Sequence, residues 1–172
     1  MASLIYAHPW LLELALRAKY GRYYLPRLER VAREIGVGDR VMDLCCGDAA
    51  IYRHLLCHRQ VSYQGIEFNR SMVQALQRRD VNVTWGDVRR IAIPRCDVVL
   101  CLASLYQFPQ HAAGIIRAAT AAAPRVVILE PVENMSASGN PLLAAVGRHI
   151  TDFGEGPVTF RYSEEEVRRQ WQ

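Results

Sequence analysis

Short segments of strand composition alternate with segments of helical periodicity over most of the chain, and this alternation constrains the fold more than any other feature. The predicted strands are 40–44, 61–67, 81–85, 97–102 and 125–130. The predicted helices are 9–19, 23–35, 49–58, 69–79, 109–122, 142–150 and 164–171. Strands separated by helices form right-handed βαβ units around a parallel sheet. The sequence therefore predicts an α/β fold with three layers and a mostly parallel sheet, in which Asn69 and Ser163 are predicted N-caps, the latter in a capping box with Glu166.

The size of the chain fits a single domain. Its 172 residues are enough for one hydrophobic core, so residues 1–172 are predicted to form one domain. The first twenty residues are apolar, but Glu13 and Arg17 interrupt them and no basic stretch precedes them, which argues against a signal peptide. No apolar run approaches the length of a membrane span. We therefore expect a cytoplasmic protein with no membrane partner.

The positive charge is spread thinly. The formal net charge is +4, and the Arg residues are scattered or stand in pairs such as Arg78-Arg79 and Arg89-Arg90. A basic stripe with interleaved aromatic residues, as expected of a nucleic-acid-binding surface, is not seen. The sequence therefore predicts no nucleic-acid partner.

The cysteines do not indicate a metal site. There are five of them, with no CxxC pair. His54, Cys57 and His58 lie close together and form a set with Cys45 or Cys46, but their spacing matches no common zinc pattern. We therefore expect no metal.

Acidic residues follow or end the first three predicted strands. Asp43 lies near the end of the first strand, Gly47 and Asp48 lie in the turn after it, Glu67 ends the second strand, and Asp87 follows the third. The carboxyl ends of parallel strands form the ligand cleft of such a fold, and an acid about 20 residues after the glycine turn grips ribose hydroxyls. Carboxylates at these positions would repel a phosphate. They suit a cationic or neutral nucleoside.

These segments resemble the motifs of class I S-adenosylmethionine-dependent methyltransferases, in the expected order over roughly residues 20–135. Residues 43–49, DLCCGDA, resemble the acid-x-Gly-x-Gly-x-Gly turn of that family, with Cys45 and Ala49 in place of two glycines. The ribose acid resembles Glu67 in YQGIEFN, and the adenine-edge acid resembles Asp87 in TWGDV. The fourth and fifth strand motifs resemble DVVLCLASLYQF and RVVILEP. Cys and Ala disfavour positive φ, which predicts reduced cofactor affinity.

The resemblance implies methyl transfer from S-adenosylmethionine. Asp43 would face the amino end of the methionyl part, Glu67 would accept from both ribose hydroxyls, and Asp87 would accept from the adenine amino group. The implied cofactor-binding residues are Asp43, Cys45, Gly47, Glu67, Phe68, Asp87, Val88, Leu102 and Ala103. The candidate catalytic residues are Tyr106 and Glu130, with Glu133 as a further acid that could steer or deprotonate an acceptor.

The implied acceptor is a small molecule, because the fourth motif is not Asn/Asp-Pro-Pro-Tyr and no Pro-Cys pair supplies a nucleophile for base methylation. A nicotinamide-dependent dehydrogenase would need G-x-G-x-x-G, which is missing, and Asp48 would oppose its pyrophosphate. A non-catalytic binding or scaffold protein of the same fold is the remaining alternative.

The N-terminal and C-terminal segments are each considered as cover for the cofactor or for the sheet. Residues 1–36 are predicted to form an N-terminal helical cap, in which the aromatic residues either form a lid on the cofactor or pack on the sheet. Relatives usually end in an antiparallel hairpin that this chain is predicted to lack. The apolar strand 125–130 then needs cover at its edge, either from the segment 142–172 or from a second copy of the chain in a homodimer.

Overall fold

The computed structural model describes residues 4–131 and residues 160, 162, 163, 165 and 166. A five-stranded sheet forms the centre of this part of the chain. Its strands are β1 (Arg40–Leu44), β2 (Ser62–Glu67), β3 (Val83–Trp85), β4 (Val98–Leu102) and β5 (Arg125–Leu129). The order is β3-β2-β1-β4-β5, and every neighbouring pair is parallel. The predicted α/β fold is confirmed, and the strand order reverses between β1 and β4.

Four α-helices accompany the sheet within residues 4–131. They are α1 (Pro9–Tyr20), α2 (Tyr24–Ala32), α3 (Arg70–Gln77) and α4 (Ala112–Ala122). The helix predicted at 49–58 is confirmed over residues 50–56, although Tyr52–Leu56 have π-helical hydrogen bonding, in which the Cys57 amide donates to the Tyr52 carbonyl at 2.8 Å. Ala49 cannot begin a regular helix because its φ of +50° lies in the left-handed region.

The two faces of the sheet bury two hydrophobic clusters. Along β4 the residues from Val98 to Cys101 are all buried, as expected of a strand covered on both sides. Alternate residues point to opposite faces, so Val98 and Leu100 join the cluster under α1 and α2, whereas Val99 and Cys101 join the cluster under α4. Tyr162 is buried in the second cluster.

Two predicted helix caps are confirmed. The Asn69 side chain accepts a hydrogen bond from the Met72 amide at 3.1 Å at the start of α3. Ser163 and Glu166 form the reciprocal pair of a capping box, with bonds of 2.7 and 3.1 Å between each amide and the other side chain. Each cap supplies an acceptor for an amide that has no partner within a helix.

Several predictions lie outside the described residues: Glu133, the helix 142–150, most of the segment 142–172 offered as edge cover, and most of the helix 164–171. The predicted lack of a final hairpin concerns residues after β5 and also stays a prediction. Within the part of the chain that the structure describes, no helix has the length and apolar character needed to cross a bilayer. The cytoplasmic location and the homodimer stay predictions as well.

Candidate functional site

A cleft opens at the carboxyl ends of β1 and β4, where the strand order reverses. Ligands of open parallel sheets bind at this switch point, because the loops that leave the two strands diverge there. Eight of the predicted cofactor-binding and catalytic residues line the cleft: Asp43, Cys45, Gly47, Glu67, Phe68, Leu102, Ala103 and Tyr106. The structure therefore brings most of the predicted site together.

The turn after β1 is left-handed at each of the three positions that resemble motif glycines. The φ angles are +55° at Cys45, +57° at Gly47 and +50° at Ala49. A residue with a Cβ in this region costs about 1–2 kcal/mol. The side chain of Ala49 is fully buried, which offsets part of that cost. The turn thus keeps the conformation of a glycine-rich loop despite its two substitutions.

Glu67 ties this turn to the end of β2. One carboxylate oxygen accepts from the Gly47 amide at 3.0 Å, and the other accepts from the Asn69 amide at 2.7 Å. Burial raises the pKa of Glu67 above its usual value, although these amides oppose the shift. Each oxygen keeps a second lone pair for another donor. The carboxylate is thus fixed in position at the edge of the cleft and can still accept from a ligand.

Asp43 and Asp48 carry unsatisfied oxygens into the cleft. The Asp43 side chain is 2% exposed; its Oδ2 accepts from the Tyr63 hydroxyl at 2.9 Å, whereas its Oδ1 has no partner among the described residues. Asp48 is 4% exposed, and its Oδ2 likewise lacks a partner there. Burial raises the pKa of Asp43 to about 7 and that of Asp48 to about 6. Buried acceptors without donors are costly, so these two oxygens suit a ligand that donates hydrogen bonds.

Close approach between the turn and β2 depends on Gly65, which pairs with Asp43 across the sheet. A Cβ at this position would lie 2.7 Å from the Cys46 sulfur and 3.2 Å from the Tyr63 hydroxyl oxygen. We expect Gly65→Ala to lower the free energy of unfolding by about 1–3 kcal/mol, because the core would be overpacked. Denaturant titration measures the change.

Gly114 supplies the matched control for this substitution. It is exposed in α4, and the nearest atom to an added Cβ would be 4.0 Å away. Gly114→Ala should therefore stabilise the protein by up to about 1 kcal/mol through helix propensity. The double variant Cys46→Ala/Gly65→Ala should recover part of the loss. A Gly65→Ala protein as stable as the wild type would show that the turn and β2 are not in close contact.

Two predicted cofactor residues do not line the cleft. Asp87 is held by Arg89, whose Nε and Nη2 donate to its two oxygens, each at 2.8 Å. This pairing lowers the pKa of Asp87. Val88 is buried in the cluster under α4. An adenine amino group would have to share Asp87 with Arg89, and the adenine contact stays a prediction.

Glu130 is engaged with the loop after β4. Its carboxylate accepts from the amides of Ser104 and Leu105, both at 2.8 Å, and from the Tyr106 amide at 3.3 Å. Three amide donors favour the charged form of a carboxylate and oppose its protonation. The geometry therefore suits Glu130 to positioning this loop, and Tyr106 with it, better than to deprotonating an acceptor.

The N-terminal helices contribute cleft residues that the motifs did not indicate. They include Leu12, Leu16, Lys19 and Arg27. Arg27 stands three residues after Tyr24 and four before Val31, both buried, so helical spacing alone could have placed it on the inner side of α2. Of the aromatic residues in the predicted cap, Tyr6 and Tyr20 line the cleft, Tyr24 is buried in the core, and Tyr23 is exposed.

The histidine of the possible metal set has another partner. His54 Nε2 lies 3.0 Å from Glu13 Oε1, and Arg53 also pairs with Glu13. Across the described residues, no cluster of three or more His, Cys, Asp or Glu side chains is arranged to hold a metal ion. The helix α1 is thus anchored beside the cleft by an ion-pair network around Glu13.

Solved structures share this architecture. The magnesium protoporphyrin IX methyltransferase ChlM from Synechocystis PCC 6803, with bound S-adenosylhomocysteine, superposes with a TM-score of 0.60 over 86% of this chain and 72% of its own, at 17% identity. The protein has the class I methyltransferase fold. The amino pentose methyltransferase CalS10 from Micromonospora echinaspora matches with a TM-score of 0.57 at 18% identity. That match covers 70% of this chain and 56% of CalS10.

The solved structure of a cyclase also shares this fold. The [4+2]-cyclase SpnF matches with a TM-score of 0.51 at 18% identity, over 63% of this chain and 42% of the cyclase. Residues 26–100 match the family model of the methionine biosynthesis protein MetW. No curated protein sequence gives a significant match. This chain spans about two fifths to three quarters of the length of the three solved structures. At these sequence identities, the likeness shows the fold alone.

Proposed function

We propose that the cleft binds S-adenosylmethionine and that the protein transfers its methyl group to a small-molecule acceptor. The position of Glu67 carries the proposal: a carboxylate is fixed by the Gly47 and Asn69 amides at the switch point of the sheet, where it can accept from ribose hydroxyls. The unsatisfied oxygens of Asp43 and Asp48 support it, because the methionyl ammonium donates three hydrogen bonds.

The chain's own contribution would be binding and orientation. The cofactor, when bound, supplies an activated methyl group, and the protein gains rate by holding donor and acceptor in line. The left-handed turn would bring the Gly47 backbone close to the ligand, and the loop held by Glu130 would direct Tyr106, which lines the cleft, toward the acceptor. The Tyr106 ring can attract a sulfonium by a cation–π interaction or contact the acceptor.

The class of acceptor is proposed from the methyltransferases that share the fold. ChlM is a magnesium protoporphyrin IX methyltransferase, and CalS10 is an amino pentose methyltransferase. The match to the MetW model ends at residue 100, before the loop that carries Tyr106, so it bears on the donor half of the cleft. We therefore propose a small organic acceptor.

A non-catalytic binding protein is the second candidate. It is favoured by the engagement of Glu130 with three amides, which leaves no obvious acceptor base among the residues that the structure describes. In-line methyl transfer to a nucleophilic acceptor can proceed without a strong base, and a methyl-transfer screen separates the two candidates.

Calorimetric titration and a methyl-transfer screen test the proposal together. S-adenosylhomocysteine should bind, and NAD should not, because the acids of the cleft oppose a pyrophosphate. Transfer of a tritiated methyl group to a member of a small-molecule pool would establish the enzyme. Binding without any transfer would favour the scaffold candidate, and no binding of the donor or its product at millimolar concentration would reject the proposal.

A further inference from the structure

A second concave surface lies between the start of α1 and the exposed side of α3, and we call it the α3 groove. Its described lining residues are His8, Ser71, Gln74, Ala75, Arg78 and Arg79. Within the described ranges, no member of this set lines the cleft at the switch point. Four of them stand at positions i, i+3, i+4 and i+7 of one helix and therefore share a face, on which the small Ala75 leaves room between longer side chains.

The polar side chains of the α3 groove can all donate hydrogen bonds, and no carboxylate is among its described lining residues. Arg78 and Arg79 are exposed, and neither forms an ion pair within the part of the chain that the structure describes. The Nδ1 atom of His8 accepts from the Trp10 amide at 3.4 Å, so the neutral ring carries its proton on Nε2 as a further donor. The groove therefore combines positive charge with several donors, which suits an anion.

We propose that the α3 groove binds a phosphate group, carried either by inorganic phosphate or by a small phosphate monoester. Arg78 and Arg79 supply guanidinium groups, which bind phosphate through paired, charge-assisted hydrogen bonds. A phosphate presents its oxygens in several directions, so it can accept from α3 and from His8 at once, whereas a carboxylate has its two oxygens in one plane. The basic residues stand in one compact groove and form no stripe, which favours a single phosphate group over a nucleic-acid backbone. The site lies outside the cleft and does not depend on the proposed function.

A phosphate in the α3 groove would tether the N-terminal segment to the body of the protein. The Asn69 side chain donates to the Tyr6 carbonyl at 3.0 Å, which holds the turn Leu4–Ala7 beside the start of α3. His8 follows this turn directly, so a phosphate that bridges His8 and α3 would add a second attachment. Because Tyr6 lines the cleft, the tether would restrict one wall of the cleft.

Calorimetric titrations of inorganic phosphate and methyl phosphate at constant ionic strength test the site. The wild type should bind both at millimolar concentration, and the double variant Arg78→Met/Arg79→Met should bind both about 10-fold or more weakly, because it loses the charge-assisted bonds. Similar affinities for the two compounds would show that the phosphate group alone is recognised, and tighter binding of methyl phosphate would indicate a monoester ligand.

The matched control is Arg30→Met/Arg33→Met, which makes the same change of charge on the exposed side of α2. Arg33 is the C-cap of α2 and Arg78 is the C-cap of α3, so both benefit in the same way from the helix dipole. The control should leave the affinity for phosphate unchanged, and thermal melting checks that each variant is folded.

Amide hydrogen exchange tests the tether. At a phosphate concentration of about three times the dissociation constant, openings that separate residues 5–12 from α3 should be about 4-fold rarer, so the amides that exchange through them should be protected to that extent. Arg78→Met/Arg79→Met should show no such protection. Unchanged exchange in the wild type would overturn the bridging role of His8.

Three results of the titrations would overturn the site. An equal fall in affinity in both double variants would mean that phosphate responds to net charge alone. A wild type that binds neither phosphate compound would leave the groove without its ligand. Binding of a single-stranded oligonucleotide without binding of either compound would assign the surface to nucleic acid. Titration with S-adenosylhomocysteine is independent of all three, so the proposed function would stand or fall separately.

Discussion

Replacing Asp43 with Asn is expected to stabilise the protein at pH 8 and to abolish binding of S-adenosylhomocysteine. Asp43 is buried, only one of its oxygens has a partner among the described residues, and Asp48 and Glu67 repel its charge. Its pKa is raised from the usual 3.8 to about 7, mainly by desolvation. A shift of this size corresponds to a cost on the order of 4 kcal/mol when the carboxylate is ionised in the folded protein. Asn keeps the shape and removes the charge.

The expected stabilisation depends on pH in a defined direction. Because the folded-state pKa of Asp43 lies above its unfolded value, its favourable contribution is complete below pH 4 and is lost as the pH rises through about 7. Asp43→Asn should therefore exceed the wild type most above pH 7 and match it near pH 4. Denaturant titrations at several pH values measure the difference.

Asp97 provides a control of opposite sign. Its pKa is lowered to about 2, first because the Arg40 side chain donates to it at 3.0 Å. Asp97→Asn should therefore leave stability unchanged or lower it at neutral pH, and it should not affect ligand binding. An Asp43→Asn protein that is less stable than the wild type at pH 8, or that binds the ligand as well, would contradict the assignment of Asp43 as an unsatisfied ligand-binding acid.

The features predicted correctly from the sequence depend on periodicity and on local backbone chemistry. The strand β4 was recognisable because a strand covered on both faces is apolar throughout, and Asn69 because a short polar side chain before a helix caps it. The rule that parallel strands end at one edge of the sheet predicts that Asp43, Gly47 and Glu67 lie close together. These relations depend on the backbone and not on the conformations of the surrounding side chains.

The features that were missed depend on side-chain conformation and on distant contacts. The sequence indicates that Asp87 is an acid at a strand end. Its bidentate pairing with Arg89 depends on the side-chain conformations of both residues, which the sequence does not specify. The sequence predicts Glu130 as a catalytic candidate. In the structure, three amides of the loop after β4 donate to its carboxylate. Arg27 belongs to no motif and reaches the cleft because α2 packs beside the turn. Sequence spacing within one element does not specify such contacts.

Replacing Glu67 with Ala is expected to weaken binding of S-adenosylhomocysteine by about 100-fold or more. Two ribose hydroxyls that donate to one carboxylate make charge-assisted bonds worth about 1.5–3 kcal/mol each. The substitution also removes the acceptor of the Gly47 and Asn69 amides, so part of the loss would come from a loosened turn. Glu29→Ala, on the exposed side of α2, replaces the same residue type outside the cleft and should leave the affinity unchanged.

A ligand without one ribose hydroxyl separates the direct contact from the effect on the turn. In the wild type, the 2′-deoxy analogue of S-adenosylhomocysteine should bind about 10-fold or more weakly than the parent compound, because one charge-assisted bond is lost. In Glu67→Ala the two compounds should bind with similar affinity, since no carboxylate remains to distinguish them. A deoxy penalty of the same size in both proteins would mean that Glu67 acts only by holding Gly47 and Asn69, and that another group binds the ribose.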